Sequence, residues 1–77
     1  MGLIHWLADA GEMASIIEEK TPGLKVTLSW DASGPIVTAV LGDRRAERRV
    51  SWPAVKGAKF NPVLGLLHLT VDDVRAS

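Results

Sequence analysis

Arg44-Arg45-Ala46-Glu47-Arg48-Arg49 gathers four of the chain's five arginines into six residues. Guanidinium forks at that density suit phosphates or carboxylates. How strong the cluster is depends on the element that carries it. On a strand, Arg45, Glu47 and Arg49 share one face, and Arg44 and Arg48 share the other with Val50 and Trp52. On a helix, Arg44, Arg45, Arg48 and Arg49 form one continuous basic stripe. The cluster reads either as a contact surface or as an edge strand that uses charge to block aggregation. A second candidate has the opposite sign: Glu12 and Glu19, flanked by Asp9 and Glu18, could meet a basic patch on a partner or simply be solvated.

Other chemistry is sparse. His5 and His68 are the only histidines, and neither lies in an HxxxH, HxH or HxxE arrangement. A metal site needs three or four convergent ligands, so we expect no metal and no cofactor. The chain has no cysteine, no GxSxG, no P-loop and no GxGxxG, which points away from catalysis. The expectation is a non-catalytic domain, with His5 on the surface and His68 partly buried.

The elements that must position these residues can be read from periodicity. Leu3, Trp6, Leu7, Ala10, Met13, Ala14 and Ile17 follow helical spacing, with His5, Glu12 and Glu19 near the centre of the opposite face. The spacing predicts one helix, bent near Gly11 and ended by Thr21-Pro22-Gly23. Leu24–Trp30 alternates throughout, placing Leu24, Val26, Leu28 and Trp30 on one face of a strand. Ile36–Leu41 is apolar on both faces, as in a central strand, and Gly42-Asp43 suits a tight hairpin. A third strand is expected from about Arg45 to Trp52, stopped by Pro53. In a meander this puts Trp30 and Trp52 at the same end of the sheet, with Trp6 in the core.

Residues 53–62 read as a loop. Val63–Leu69 is ambiguous between helix and buried strand, and we take it as a strand followed by a short helical turn at Thr70–Asp73. The predicted fold is α+β, one domain over residues 1–77: an N-terminal amphipathic helix on a three- to four-stranded antiparallel sheet, with a short C-terminal helical turn.

Composition limits the partners. The formal net charge is zero, but it is segregated. Residues 1–43 carry six acids against two lysines, a net −4, and residues 44–59 six bases against one acid, a net +5. A neutral chain with no Tyr and a single Phe lacks both the basic footprint and the stacking platform of a nucleic-acid binder. No apolar run reaches the roughly 18 residues needed to cross a bilayer. Met1 reads as a true start without a basic leader, and an Ala-, Val-, Gly- and Arg-rich composition hints at a GC-rich bacterial or phage genome. The expected location is the cytoplasm of a bacterial host cell, as a monomer or homodimer.

One helix over Leu3–Lys20, strands led by LKVTLSW and IVTAVL, and charges bunched at GDRRAERR make a plan that resembles the small inhibitors encoded by phages and mobile elements, notably anti-CRISPR proteins. The resemblance implies a protein partner, a CRISPR–Cas effector subunit, whose DNA-binding or nuclease-recruiting surface is blocked sterically. Arg44, Arg45, Arg48 and Arg49 would engage acidic groups, or Glu12, Glu19, Asp72 and Asp73 would imitate phosphates toward a basic channel. Two other classes remain: a small nucleic-acid-binding accessory protein, and a phage structural or assembly subunit.

Overall fold

The computed structural model describes residues 3–76, the side chain of Leu3 excepted; Met1, Ser77 and the apolar position assigned to Leu3 lie outside the described residues. Three helices and three strands are found among them, in the order α1 (Leu3–Lys20), β1 (Leu24–Trp30), β2 (Pro35–Leu41), β3 (Arg44–Arg49), α2 (Trp52–Gly57) and α3 (Pro62–Ala76). The class is α+β, built on an open antiparallel sheet in the order β1-β2-β3.

α1 forms as its periodicity requires. Ala10 and Ala14 are buried, with Trp6, Leu7, Met13 and Ile17 half-buried beside them. It runs unbroken through Gly11, where a Cβ would lie 3.9 Å from the Leu28 side chain. Past Lys20 the Thr21 N–H still donates to the Ile17 carbonyl (3.0 Å), and Leu24 then donates to the Thr21 carbonyl (3.1 Å) as β1 begins.

The sheet pairs in the register expected of its alternation. Val37 opposes Leu28 and Arg48, Ala39 opposes Val26 and Ala46, and Leu41 opposes Leu24 and Arg44. These residues face the helices. The β2–β3 hairpin closes on Gly42-Asp43, with positive φ at Gly42 (65°) and not at Asp43, the pattern of a type II′ turn. At Gly34 (φ 147°) a Cβ would fall 1.9 Å from the Val50 carbonyl oxygen. Only glycine lets the β1–β2 turn back against the chain leaving β3, where Trp52 N–H donates to the Ser33 carbonyl (3.1 Å).

Two expectations need correction beyond this point. β3 ends at Arg49, and Trp52 belongs to α2. Ser51 caps that helix, its Oγ accepting from Ala54 N–H (3.3 Å), and Pro53 stands in its first turn; the proline that stops a strand equally well starts a helix. The segment expected as strand plus turn is instead one 15-residue helix, α3. Its buried stripe is Val63, Leu66, Leu67, Thr70, Val71 and Val74, an i, i+3, i+4, i+7 series. Thr70 can occupy the core because its hydroxyl donates to the Leu66 carbonyl one turn back (2.6 Å). His68, expected to be partly buried, is on the solvent side.

α1 and α3 lie side by side on one face of the sheet, α1 against β1 and α3 against β2 and β3. They run parallel. Asn61, at the start of α3, donates from Nδ2 to the Trp6 carbonyl (3.0 Å), while Arg75 at its far end donates to Thr21 Oγ1 (2.6 Å). An 18-residue helix is about 27 Å long, so the pair follows the 34 Å axis of the molecule.

Candidate functional site

The sheet's other face is open. Three cross-strand rows line it: Lys25–Val40–Arg45, Thr27–Thr38–Glu47 and Ser29–Ile36–Arg49. Alternation along β3 therefore splits the arginine cluster in two, and each half does something different.

Arg45 and Arg49 stand on the open face with Glu47 between them. Glu47 lies 3.3 Å from Arg45 and 3.9 Å from Arg49, and its Oε1 also accepts from the Thr38 hydroxyl across the ladder (3.3 Å). Arg49 reaches a second acid, Asp31, at 3.2 Å. The Asp31 carboxylate accepts the N–H groups of Ser33 (2.8 Å) and Gly34 (3.2 Å). Chiefly through the Ser33 bond, and against an opposing cost of desolvation second only to it, with Gly34 and then Arg49 adding, Asp31 is held below its ordinary value of 3.8.

Arg44 and Arg48 project to the helix side. Arg48 forks onto Asp73 of α3, Nε to Oδ2 at 2.7 Å and Nη2 to Oδ1 at 3.2 Å. That hydrogen bond, more than the bare attraction of charge, lowers the Asp73 pKa and raises that of Arg48. Arg44 donates to the Arg75 carbonyl near the end of α3 (3.3 Å). This pair fastens α3 to the edge of the sheet.

Glu12 and Glu19 are exposed on α1, on the side turned away from the sheet. They are not brought together with Arg45 and Arg49, and the two signs look out from opposite sides of the molecule. Glu18 is different again: half-buried, it accepts the Val26 N–H (2.7 Å) and so closes part of the free edge of β1. At the other edge Val50 N–H donates to Pro35 (3.1 Å), so ladder alternation turns the peptide groups of Arg45, Glu47 and Arg49 outward, away from β2.

His5 and His68 are both exposed. No cluster of three or more His, Asp or Glu side chains able to hold a metal ion occurs among the described residues, and no helix there is long and apolar enough to cross a membrane. Comparison with known proteins finds no matching family model, curated protein or solved structure.

The anchoring roles of Glu18 and Asp73 were not apparent from the sequence. An acid on a helix flank carries no local sign that a distant strand will present it with a donor. Nor does the sequence show that Ile4, Trp30 and Phe60 stay exposed, since each lies at the end of an element or in a connection whose cover is set by the path of the chain.

Proposed function

We propose that this chain is a small protein-binding domain that acts by covering part of a partner's surface, in the manner of the anti-CRISPR inhibitors whose plan it resembles. The observation that supports the reading is that Arg45 and Arg49 share Glu47, and Arg49 also pairs with Asp31. A binder of phosphate backbones gains affinity from cations free to displace counterions. Here Arg45 and Arg49 are already interleaved with acids, and Lys25 stands at one end of the same face without an ion pair among the described residues. The result is a mixed-sign surface of hydroxyls, charges and two half-buried aliphatics, Ile36 and Val40. Such a face offers both donors and acceptors at fixed spacing, which is what a second protein surface can match.

The experiment is capture of CRISPR–Cas effector subunits from a bacterial lysate by the immobilised domain, with the Arg45→Glu/Arg49→Glu variant alongside. The expected result is recovery of an effector subunit by the parent and loss of at least about tenfold in affinity in the variant, as for charged contacts at an interface centre. Recovery of no effector by the parent overturns the inhibitor reading. A labelled DNA or RNA shifted by the parent, with affinity falling steeply as salt rises, replaces it with nucleic-acid binding.

A further inference from the structure

The chain has four aromatic residues, Trp6, Trp30, Trp52 and Phe60, and the fold brings all of them to one end. α1 runs antiparallel to β1, with Glu18 bonded to Val26 and Gly11 beside Leu28, so the last residue of β1, Trp30, reaches the level of the first turns of α1. Trp52 joins it there, its indole N–H donating to the Asp31 carbonyl (3.0 Å). Asn61, bonded to the Trp6 carbonyl, sets its neighbour Phe60 at the same end.

Trp6 is packed against the core, but Ile4, Trp30 and Phe60 are not part of it; they remain 81%, 60% and 85% exposed. Phe60 sits in the connection between α2 and α3, outside the hydrophobic core. Large apolar side chains left in water by a molecule with so small a core mark a surface used for contact, and Trp is the residue most enriched among binding hot spots.

The charge around these residues is positive. Lys56 and Lys59 precede Phe60 in the chain, both exposed and neither in an ion pair among the described residues. α1 and α3 both begin at this end, and neither has an acid in its first turn. Of the nearby acids, Asp31 is tied to Arg49 and two peptide N–H groups, and Asp9 lies further along α1. Two lysines are too few to hold a nucleic-acid backbone, and Ile4 offers no stacking surface.

We propose that Ile4, Trp30 and Phe60, with Lys56 and Lys59, form the anchor for a partner protein through an acidic segment that carries apolar side chains. This rests on the protein-binding reading and adds to it the chemistry of the partner. The three exposed apolar groups fill the centre of the contact, and the lysines at its rim select the sign of the partner.

The test uses two short synthetic peptides with the same Leu and Phe positions, one with Glu and the other with Lys at all remaining positions. They are titrated into the 15N-labelled domain, with the indole N–H resonances as reporters. The Glu peptide is expected to shift the Trp30 resonance saturably and the Lys peptide not to. Ile4→Ala/Phe60→Ala should weaken binding by about tenfold or more without lowering the melting temperature, and Lys56→Glu/Lys59→Glu should transfer the preference to the Lys peptide. Absence of a saturable shift, equal binding of the two peptides, or tighter binding of an oligonucleotide or of phosphatidylserine vesicles overturns the anchor. A natural partner captured equally by parent and Ile4→Ala/Phe60→Ala also overturns it, and leaves the protein-binding reading intact. Peptide binding at this end without capture of any CRISPR effector does the reverse: it upholds the anchor and removes the inhibitor reading.

Discussion

Asp31 is exposed and Asp73 half-buried, and each organises a join between elements, Asp31 at the β1–β2 turn and Asp73 between α3 and β3. Both have a pKa lowered in the folded state from the ordinary 3.8, Asp31 first through the Ser33 N–H and Asp73 first through the Arg48 guanidinium. A carboxyl depressed on folding is bound to fewer protons folded than unfolded, so its contribution is full above the unfolded value and is lost as pH falls through the folded one. The melting temperature is therefore expected to hold from neutrality to about pH 5 and to drop below about pH 4. Asp31→Asn and Asp73→Asn should each melt earlier at neutral pH and show a shallower acid decline. Thermal denaturation followed by circular dichroism at a series of pH values checks this; an acid decline as steep in Asp31→Asn/Asp73→Asn as in the parent would refute it.

Asn61 is the junction of α1 and α3. Its Oδ1 caps α3 by accepting from Val63 (3.0 Å) and Leu64 (3.4 Å), while its Nδ2 donates to Trp6. Asn61→Ala should cost about 1–2 kcal/mol in chemical denaturation, the upper range for a lost cap. Asn61→Asp, which keeps the acceptor and loses the donor, should recover part of that; recovery of all of it would mean the bond to Trp6 contributes nothing. The same elements show what the sequence makes legible. Leu24–Trp30 alternates without exception and Gly42-Asp43 is turn chemistry, so β1 and the hairpin were readable residue by residue. α3 was not, because Gly65 interrupts it and Thr70 looks like a cap. The helical series appears only when Thr70 is counted as an inward residue, which requires knowing that its hydroxyl is satisfied by its own helix. Nor is it visible from Arg44 and Arg48 that an acid 25 residues on will meet one of them. The alternation of faces was readable; the partners across the fold were not.

The whole molecule shows opposite charge on opposite sides and cancels it in sum. A net charge of zero gives two copies no long-range reason to stay apart. The two sheet edges are guarded differently: β1 by the Glu18 carboxylate on its peptide N–H, and β3 by the charges of its own side chains. Replacing Arg45, Glu47 and Arg49 together by Thr keeps strand propensity and removes that guard. The variant is expected to retain its circular dichroism spectrum and to rise in mass by light scattering relative to the parent; an unchanged mass would show that the charges are not needed there.

The pair of bonds that ties α1 to α3 spans more than fifty residues at each end, Trp6 to Asn61 and Thr21 to Arg75. Six of the buried side chains come from α3. A chain that stops before residue 62 lacks the layer that covers β2 and β3, so residues 1–61 alone are expected to show no cooperative melting transition. A sharp transition in that fragment would show that the first helix and the meander stand without α3.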